Sequence, residues 1–330
     1  MKIVRTDAEL HLPTLDDLLI DEGHELILLP DGIAEDDLIR VCHDADILMM
    51  CYTPITRRVI EAAPRLRGIV KYGVGIDAID IPAAKKNGVI VVNVPEYAEN
   101  TVAEGAFTLM LALLRKLPAL TAAMRTDGWT WPEPRWLGRD LSGLTVGLVG
   151  LGRIGHSMAR MCGRGFGANV IAHDPHQPDS TFQAAGAERV ALGDLLKRAD
   201  VVSLHTVLTE ETRHLIGANE LALMRSDAIL VNVSRGPLID ESALISALDE
   251  GWIAGAGLDV FEREPLSRDH PLQNRDNVIL LPHLTFWTHQ AMARLEEDTL
   301  ARLRELIENR PVTIRSKDPR LQGQKGASYS

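Results

Sequence analysis

A glycine-rich turn near the middle of the chain constrains its fold more than any other feature. The apolar run 144–149 leads into Gly150, Gly152 and Gly155, which have the spacing G-x-G-x-x-G. The first glycine of such a motif permits a tight turn, the second lets a phosphate approach the backbone, and the third lets the next helix pack on the strand. The motif therefore predicts a parallel strand, a helix and a dinucleotide bound at the helix N-terminus.

A carboxylate follows the next predicted strand, 169–173. Asp174 ends this strand about 20 residues beyond the glycines, where a carboxylate accepts hydrogen bonds from the adenosine ribose. Because this carboxylate would repel a 2′-phosphate, we expect the cofactor to be NAD. The alternative is that Asp174, which precedes Pro175, is only a turn residue.

Composition and charge exclude several classes of protein. The chain has 330 residues, 45% hydrophobic and 25% charged, as in globular proteins with room for two domains. Its net charge of -11 argues against a nucleic-acid or anionic-membrane surface, because both attract clustered Lys and Arg. The start lacks a long apolar segment and the run 107–114 is too short to cross a bilayer, so we expect a cytoplasmic protein. The three cysteines are dispersed without a C-x-x-C pair, so we expect no metal site.

Apolar runs alternate with helical patterns along most of the chain. This alternation predicts α/β domains whose parallel sheets are covered on both faces. Before residue 100 the predicted strands are 2–5, 25–29, 46–51, 68–71 and 89–93, and the predicted helices are 15–22, 34–43, 57–63 and 79–87. From residue 144 the predicted strands are 144–149, 169–173, 201–204, 228–233, 253–258 and 278–281. Since the glycine motif occurs only in the second series, we expect two separate sheets.

Four further segments complete this interpretation. A long helix is predicted over 100–117, ended by Pro118, and it would connect the two domains. The Trp- and Pro-rich segment 129–136 is predicted to be an ordered surface loop or a dimer contact. The helix predicted over 290–309 has the length to pack on the first domain, and the polar tail 315–330 is expected to be flexible.

Three residues that could perform chemistry follow late predicted strands. They are Arg235 in NVSRGPLID, Glu264 in GLDVFEREP and His283 in LLPHL. Open α/β sheets place ligands at the carboxyl ends of their strands. A guanidinium can bind a carboxylate and polarise a ketone, an imidazole can exchange a proton, and a carboxylate can orient the imidazole. Together they suit hydride transfer to a 2-oxo acid.

Each of these residues has a plainer explanation. Arg235 before a glycine could be a surface cation at a turn, and Glu264 could be solvated beside Glu262 and Arg263. His283 could satisfy a carbonyl at the end of its strand. Three other histidines compete for the catalytic role: His205, His270 and His289.

Seven motifs resemble those of one enzyme family. They are YGVGIDAID, NTVAEGAF, GLVGLGRIG, SLHTVLTEETRHLI, NVSRGPLID, GLDVFEREP and PH-x4-T. Over residues 46–309 the sequence is similar to the NAD-dependent D-2-hydroxyacid dehydrogenases. The resemblance implies two doubly wound parallel-sheet domains: a Rossmann NAD domain, 100–286, inserted in a flavodoxin-like substrate domain, 1–99 with 287–330. It also implies a homodimer formed through the NAD domain.

The resemblance assigns roles to individual residues. Arg235, Glu264 and His283 match the catalytic triad of the family. The positions that match cofactor contacts, besides the three glycines, are Arg153, Ile154, Asp174, Thr101, Val102, Val233, Arg235 and Asp259. The positions that match the loop whose backbone N–H groups hold the substrate carboxylate are Tyr72, Gly73, Val74 and Gly75. Trp287 replaces a small residue and would either reshape the substrate pocket or pack at the domain junction.

The resemblance leaves the substrate open. Phosphoglycerate dehydrogenases have basic residues where this chain has Met50, Cys51 and Tyr52, so a phosphorylated substrate is disfavoured, although Arg57 and Arg58 are close in sequence. We expect a small 2-oxo acid and its D-2-hydroxy acid. The alternatives are a 3-phosphoglycerate dehydrogenase and, in another class, an NAD(H)-sensing protein similar to transcriptional corepressors.

Overall fold

A computed structural model describes residues 1–330 of the chain. Contacts between Cα atoms divide it into two units, Met1–Ala98 with Thr288–Ser330, and Glu99–Trp287. The boundaries predicted from the sequence, after residues 99 and 286, each lie one residue from these. The assignment of substrate and cofactor binding to separate units stays a prediction.

Residues 1–98 alternate strands and helices. The elements are β1 (Lys2–Arg5), α1 (Pro13–Asp21), β2 (Glu25–Leu28), α2 (Glu35–Cys42), β3 (Ile47–Met50), α3 (Arg57–Glu61), β4 (Gly68–Lys71), α4 (Ile81–Lys86) and β5 (Ile90–Asn93). The strands form one parallel sheet in the order β2-β1-β3-β4-β5, which is the flavodoxin-like order. From β1 the chain adds β2 on one side, and then β3, β4 and β5 on the other, so the strand order reverses between β1 and β3. Ligands of such sheets bind beyond the carboxyl ends of the strands at that point.

Residues 99–287 form the second unit. Its elements are α5 (Glu99–Leu114), α6 (Leu117–Asp127), β6 (Thr145–Val149), α7 (Arg153–Arg160), β7 (Asn169–His173), α8 (Asp179–Ala185), β8 (Glu188–Arg189), α9 (Leu192–Arg198), β9 (Val201–Leu204), α10 (Ala218–Leu223), β10 (Ile229–Asn232), α11 (Glu241–Asp249), β11 (Gly255–Leu258) and β12 (Val278–Leu280). The seven strands are parallel in the order β12-β11-β10-β9-β6-β7-β8. The order reverses between β6 and β9, as in a Rossmann sheet, and the predicted α/β class is confirmed. The short strand β8 is an addition to the six predicted strands.

Apolar side chains of the second unit form two clusters. One includes Leu109 and Met110 of α5 with Val146 and Leu148 of β6, and the other includes Leu230 of β10 with side chains of α9, α10 and α11. Full burial of a side chain such as Leu stabilises a fold by roughly 1.5–3 kcal/mol. The sheet of the second unit is therefore stabilised by apolar packing against its helices.

The prediction of one continuous helix over 100–117, ended by Pro118, is wrong at its C-terminal end. The structure has two helices, α5 and α6, which meet at an angle of 57°. Lys116 between them has φ +51, and Pro118 lies in the first turn of α6, where its missing N–H leaves no helical hydrogen bond unmade. Pro118 therefore begins a second helix. No single helix is both long enough and apolar enough to cross a membrane. The bent pair of α5 and α6 meets these two conditions only when its helices are counted together.

The prediction that the tail 315–330 is flexible is wrong. Helix α12 (His289–Ile307) is followed by β13 (Val312–Ile314) and β14 (Ala327–Tyr329), which pair in parallel. The Gln324 side chain accepts a hydrogen bond from Val91 N at 2.7 Å and donates one to Val91 O at 2.9 Å. The amide of a distant side chain thus satisfies the open edge of β5, which orders the tail.

Candidate active site

The glycine-rich turn joins β6 to α7 at the point where the sheet order reverses. Gly150 has φ +95, and a Cβ there would lie 2.6 Å from the His205 carbonyl carbon. A Cβ at Gly155 would lie 2.3 Å from Gly150 O, whereas none at Gly152 would meet a neighbour within 4 Å. The turn therefore requires glycine at two positions for packing and leaves an open approach to the backbone at the third.

Asp174 stands at the end of β7, facing this turn. Its Oδ2 accepts a hydrogen bond from Leu151 N at 2.9 Å, and its Oδ1 accepts one from His176 N at 3.0 Å. A cavity of about 350 Å³ beside it is lined by His173, Asp174, Pro175, Arg189, Val190 and Ala191. The carboxylate is thus fixed beside the glycine-rich turn and lines this cavity, and its predicted contact with an adenosine ribose stays a prediction.

Arg235 follows β10 and lies close to the segment that contains Glu264. Asn232 Nδ2 donates to Arg235 O at 2.9 Å, which fixes the backbone at the arginine. The next residue, Gly236, packs so tightly that a Cβ there would lie 1.8 Å from the Phe261 carbonyl carbon. Only glycine lets these two strand-end segments approach, so the Arg235 and Glu264 segments are held together by backbone contact.

Glu264 and His283 form a direct pair. His283 Nδ1 lies 2.8 Å from Glu264 Oε2, and Phe261 N donates to Glu264 Oε1 at 3.0 Å. Because a carboxylate only accepts hydrogen bonds, Nδ1 carries the proton of this bond. Nε2 is then the ring nitrogen at which a proton can be exchanged with a substrate.

The charge state of Glu264 follows from its neighbours. Burial of the carboxyl opposes its ionisation, but the hydrogen bond with His283 and the His283 charge act against burial. The Phe261 N–H and the nearby charge of Arg235 act in the same direction, so the pKa of Glu264 lies below its usual value. Glu264 is therefore an anion at neutral pH, and the charge of Arg235 lies close enough to contribute to lowering its pKa.

The backbone at His283 is held in an unusual conformation by Asp259. His283 has φ +58, a left-handed conformation that a residue with a Cβ rarely adopts. Asp259, at the end of β11 and completely buried, accepts hydrogen bonds from Leu284 N at 2.8 Å, Thr285 N at 3.0 Å and Thr285 Oγ1 at 2.6 Å. These bonds fix the turn that presents the imidazole. The predicted contact of Asp259 with a cofactor stays a prediction.

The competing histidines have other partners. His270 Nε2 lies 2.9 Å from Glu241 Oε1, and its Nδ1 accepts from Leu272 N, so both ring nitrogens are occupied. His205 Nε2 bonds Ser203 Oγ at 2.9 Å, and burial lowers the pKa of His205 to about 4. His289 is exposed in α12, in the other unit. Of these four candidate histidines, His283 is the one paired with a carboxylate whose pKa Arg235 also lowers.

The other predicted cofactor positions lie on α5, in the first turn of α7 and directly after β10. Arg153 begins α7 and pairs with Glu99 at 3.0 Å. Thr101 is buried in α5 and Val233 is buried after β10. Val102 and Ile154 are partly buried and pack on the apolar cluster of β6. Their contacts with a cofactor stay predictions.

The predicted substrate loop is in the first unit, after β4. The N–H groups of Tyr72 and Gly73 donate to Met50 O and Lys71 O, at 3.1 and 3.0 Å, whereas those of Val74 and Gly75 donate to no protein acceptor. The Tyr72 hydroxyl is buried and donates to Thr6 O. Of the four predicted amides, Val74 and Gly75 are therefore the two available to an anion.

Trp287 ends the second unit. Its indole is 41% exposed and packs edge-on against the buried ring of Phe286, with ring centroids 5.9 Å apart. Trp287 N donates to Leu284 O at 2.9 Å, which continues the turn after His283. The indole is thus anchored within four residues of the imidazole, and its part in substrate binding stays a prediction.

A cation that the sequence analysis did not identify lies near Cys51 and Tyr52. Lys71, at the end of β4, places Nζ 2.5 Å from Cys51 O and 5.4 Å from the centre of the Tyr52 ring. Arg57 and Arg58, which were the nearby alternatives, pair instead with carboxylates of the same unit. A charged residue ending the apolar strand GIVK is the sequence signal that identifies Lys71.

The sequence of the second unit matches a known protein family. Residues 107–285 match the family model described as D-isomer specific 2-hydroxyacid dehydrogenase, NAD binding domain. The chain belongs to this family. The predicted resemblance is therefore confirmed, and residues 107–285 match the NAD-binding domain of the family.

Two relatives and one solved structure extend the similarity over most of the chain. A glyoxylate reductase of Korarchaeum cryptofilum is 42% identical over 283 residues, which are 84% of this chain and 85% of the relative. A D-3-phosphoglycerate dehydrogenase of Methanocaldococcus jannaschii is 44% identical over 262 residues, 79% of this chain and 49% of that one. A D-lactate dehydrogenase from Aquifex aeolicus, solved with NAD and lactic acid, has a TM-score of 0.83 at 29% identity, covering 93% of this chain and 95% of its own. The chain is therefore an oxidoreductase that transfers hydride between a nicotinamide cofactor and 2-hydroxy acids.

Proposed function

We propose that this dehydrogenase reduces a small, non-phosphorylated 2-oxo acid to its D-2-hydroxy acid with NADH, and catalyses the reverse reaction with NAD. The observation that carries the proposal is the pair of His283 and Glu264, joined at 2.8 Å, with the charge of Arg235 close to it. The imidazole that donates the proton and the guanidinium that binds the substrate carboxylate both follow strands, β12 and β10, of the same sheet.

The side chains divide the chemistry between them. The nicotinamide cofactor, when bound, supplies or accepts the hydride. The Arg235 guanidinium has paired N–H donors that can bind the substrate carboxylate and polarise its carbonyl group. His283 donates a proton from Nε2 to the carbonyl oxygen during reduction and takes it back during oxidation. Glu264 keeps the ring oriented through Nδ1 and stabilises the imidazolium.

The preference for NAD rests on Asp174. Its two oxygens are held by backbone N–H groups, so the carboxylate is fixed at the cavity beside the glycine-rich turn. A fixed anion at this position accepts hydrogen bonds from the ribose hydroxyl groups and repels a 2′-phosphate. Arg189, the cation that lines the same cavity, pairs with Asp179 at 2.6 Å, which offsets its attraction for a phosphate.

A second copy of the chain is the proposed partner. Helix α6 has no buried residue, and an isolated helix of its length is marginally stable in water. Leu117 and Met124 of this helix are 52% and 43% exposed, and Trp129 and Trp131 after it are 64% and 73% exposed. Large apolar side chains of this kind mark an interface. A homodimer formed through the NAD-binding domain would cover them, and light scattering should give twice the mass of one chain.

A substrate panel tests the proposed reaction. NADH oxidation is followed with saturating glyoxylate, hydroxypyruvate, pyruvate and bulkier 2-oxo acids, and 3-phosphohydroxypyruvate is included because one relative is named a D-3-phosphoglycerate dehydrogenase. We expect the highest kcat/KM with a small, non-phosphorylated acid. Preference for the phosphorylated acid would establish the phosphoglycerate alternative, and NADH binding without turnover of any acid would contradict the proposed function.

A further inference from the structure

A cavity of about 440 Å³ lies in the first unit, at the amino ends of β4 and β5. Its lining comes from residues 64–67 before β4, from the start of β5, and from the end of α12 and the residues that follow it. Strands rise about 3.3 Å per residue, so the four residues of β4 place this cavity roughly 13 Å from the predicted substrate loop 72–75. The cavity is therefore separate from that loop.

Three arginines line this cavity, and no carboxylate does. They are Arg65, Arg67 and Arg310. In a chain with a net charge of -11, three guanidinium groups around one concavity are a local excess of positive charge. Guanidinium groups bind phosphates and carboxylates through paired N–H donors. The cavity therefore has the donors that an anion requires.

Arg67 is the arginine whose charge is not compensated. Its Nη2 donates to Asn309 Oδ1 at 2.9 Å, and its Nη1 lies 4.0 Å from Met1 Sδ. Both partners are neutral, and no carboxylate oxygen lies within 4.0 Å of the guanidinium. Because the residue is half-buried beside the cavity, an anion in the cavity would supply the missing negative charge.

The other two arginines have weak ion pairs and unused donors. Arg65 Nη2 pairs with Asp46 at 2.8 Å, and Arg310 Nε pairs with Glu308 at 2.5 Å. Each pair occupies one of the three guanidinium nitrogens. The two arginine side chains are 60% and 55% exposed, and exposed ion pairs contribute little to stability. Both side chains can therefore donate to an anion held by Arg67.

The end of α12 does not account for the arginines. Cations are favoured at a helix C-terminus partly because its last carbonyl groups lack partners. Here the carbonyl groups of Arg304, Glu305 and Leu306 accept hydrogen bonds from the backbone N–H groups of residues 308, 310 and 309, at 2.9, 2.9 and 3.2 Å. The helix is thus capped by its own backbone, and no arginine side chain is needed as a cap.

Apolar side chains line the inner part of the cavity. Leu66, Leu306 and Val312 are 6%, 3% and 0% exposed. Leu306 packs on β4 so closely that a Cβ at Gly68 would lie 2.6 Å from its Cδ1. An apolar lining with a few polar groups, at this volume, is typical of small-molecule sites. The three apolar side chains therefore offer a surface for the organic part of a ligand.

We propose that this cavity binds a small phosphate ester, with its phosphate at Arg65, Arg67 and Arg310 and its organic part on the apolar side chains. A phosphate monoester has a charge of about -1.5 to -2 at neutral pH, so it matches three guanidinium groups better than a monocarboxylate does. The site does not rest on the proposed function, because its residues belong neither to the predicted substrate loop nor to the second unit.

Two substitutions separate the charge of Arg67 from its structural contact. Arg67→Gln retains an N–H donor for Asn309 and removes the charge, whereas Arg67→Lys retains the charge and removes the paired donors. Arg40→Gln, on exposed α2 of the same unit, is the matched control for loss of one guanidinium charge. Thermal melting shows whether all variants remain folded.

Titration calorimetry with phenyl phosphate is the first measurement, with NADH present at saturation so that the cofactor site is occupied. We expect Kd to rise roughly 10-fold or more in Arg67→Gln, since a hydrogen bond to a charged group contributes at least this factor. Arg67→Lys should lie between this variant and wild type, and Arg40→Gln should stay within about twofold of wild type. Equal Kd values in wild type and folded Arg67→Gln would overturn the site, and so would the absence of binding to wild type.

A comparison of three probes tests the class of ligand. Phenyl phosphate should bind more tightly than inorganic phosphate, because its ring contacts the apolar side chains, and more tightly than benzoate, which has a single charge. Benzoate binding as tight as that of phenyl phosphate would overturn the assignment to a phosphate. Equal binding of inorganic phosphate and phenyl phosphate would overturn the role of the apolar side chains.

Thermal stability is the second measurement, and it does not depend on turnover. A ligand that binds the folded state raises Tm by mass action, so phenyl phosphate should raise the Tm of wild type and of Arg40→Gln. The rise should be smaller in Arg67→Gln at the same concentration. This result would support the site even if no 2-oxo acid is reduced, whereas an equal rise in all three proteins would contradict it.

Discussion

Asp259 and His283 are joined through the backbone that follows the histidine. The Asp259 carboxylate accepts hydrogen bonds from the backbone N–H groups of Leu284 and Thr285, at 2.8 and 3.0 Å. His283 itself has φ +58. A left-handed conformation costs a residue with a Cβ of order 1–3 kcal/mol unless its surroundings hold it. The buried aspartate supplies that support, so the imidazole is presented in one orientation and Nδ1 meets Glu264.

Substitution of His283 should abolish most turnover. We expect His283→Gln to lower kcat by roughly 10²- to 10⁴-fold, which is the usual contribution of a general acid or base. NADH binding should be unchanged, because the substitution leaves the glycine-rich turn intact. The exposed His289 provides the control, and His289→Gln should retain wild-type kcat. Full activity in His283→Gln would transfer the proton-donating role to another group.

Loss of the Glu264 charge should change the pH dependence of reduction. The low pKa of Glu264 means that the carboxylate is ionised throughout the neutral range and stabilises a positive imidazole beside it. In Glu264→Gln the imidazolium loses this partner, so the rate of reduction should decline at a lower pH than in wild type. The measurement is kcat against pH in the direction of NADH oxidation. Superimposable profiles would show that the pair is not coupled during turnover.

Asp174 should control the choice between NADH and NADPH. Asp174→Asn removes the charge and retains one acceptor for the backbone N–H groups of Leu151 and His176. We expect the ratio of kcat/KM for NADH to that for NADPH to fall by roughly 10-fold or more, because repulsion of the 2′-phosphate is lost. Asp174→Ala should show the same loss with lower stability. Unchanged discrimination in both variants would locate the preference elsewhere.

Gly236 should be essential for the fold of the second unit. A Cβ at this position would collide with the Phe261 backbone at 1.8 Å, and backbone cannot move aside as a flexible side chain can. We expect Gly236→Ala to reduce the free energy of unfolding by on the order of 3 kcal/mol or more. Gly193 in α9 is a matched control, since a Cβ there would have only one neighbour, at 3.9 Å. Gly193→Ala should change stability by less than about 1 kcal/mol. Equal denaturation midpoints for the two variants would contradict the close approach.

His205 should make the protein less stable in mild acid. Burial lowers the pKa of His205 to about 4, so the folded protein keeps this ring neutral while the unfolded chain takes up a proton below about pH 6.5. Stability associated with His205 is therefore complete above pH 6.5 and is lost as pH falls toward 4, by on the order of 3 kcal/mol. His205→Asn should flatten this part of the curve of unfolding free energy against pH. An identical slope in the variant would show that other groups cause the acid sensitivity.

The regular elements were predictable where a local pattern encodes them. The strands Lys2–Arg5, Gly68–Lys71, Asn169–His173 and Val201–Leu204 have the predicted bounds, because each is a short apolar run between helical patterns. Strand β8 and helix α6 carry no such pattern, since β8 is two exposed polar residues and α6 has no buried side chain. Strand β14 pairs with β13, and Gln324 before it bonds to Val91 of β5; local sequence encodes neither of these long-range contacts.

In the candidate site, too, local features could be predicted from the sequence and long-range contacts could not. The glycine-rich turn, the residue types of Arg235, Glu264 and His283 and the family resemblance can all be read from the chain, because backbone sterics and side-chain chemistry belong to each residue alone. The bond of Glu264 to Nδ1, the support of His283 by Asp259 and the contact of Lys71 with Cys51 cannot be read in this way. These features depend on burial and on hydrogen bonds between residues far apart in sequence, and such contacts exist only once the strands have been placed side by side.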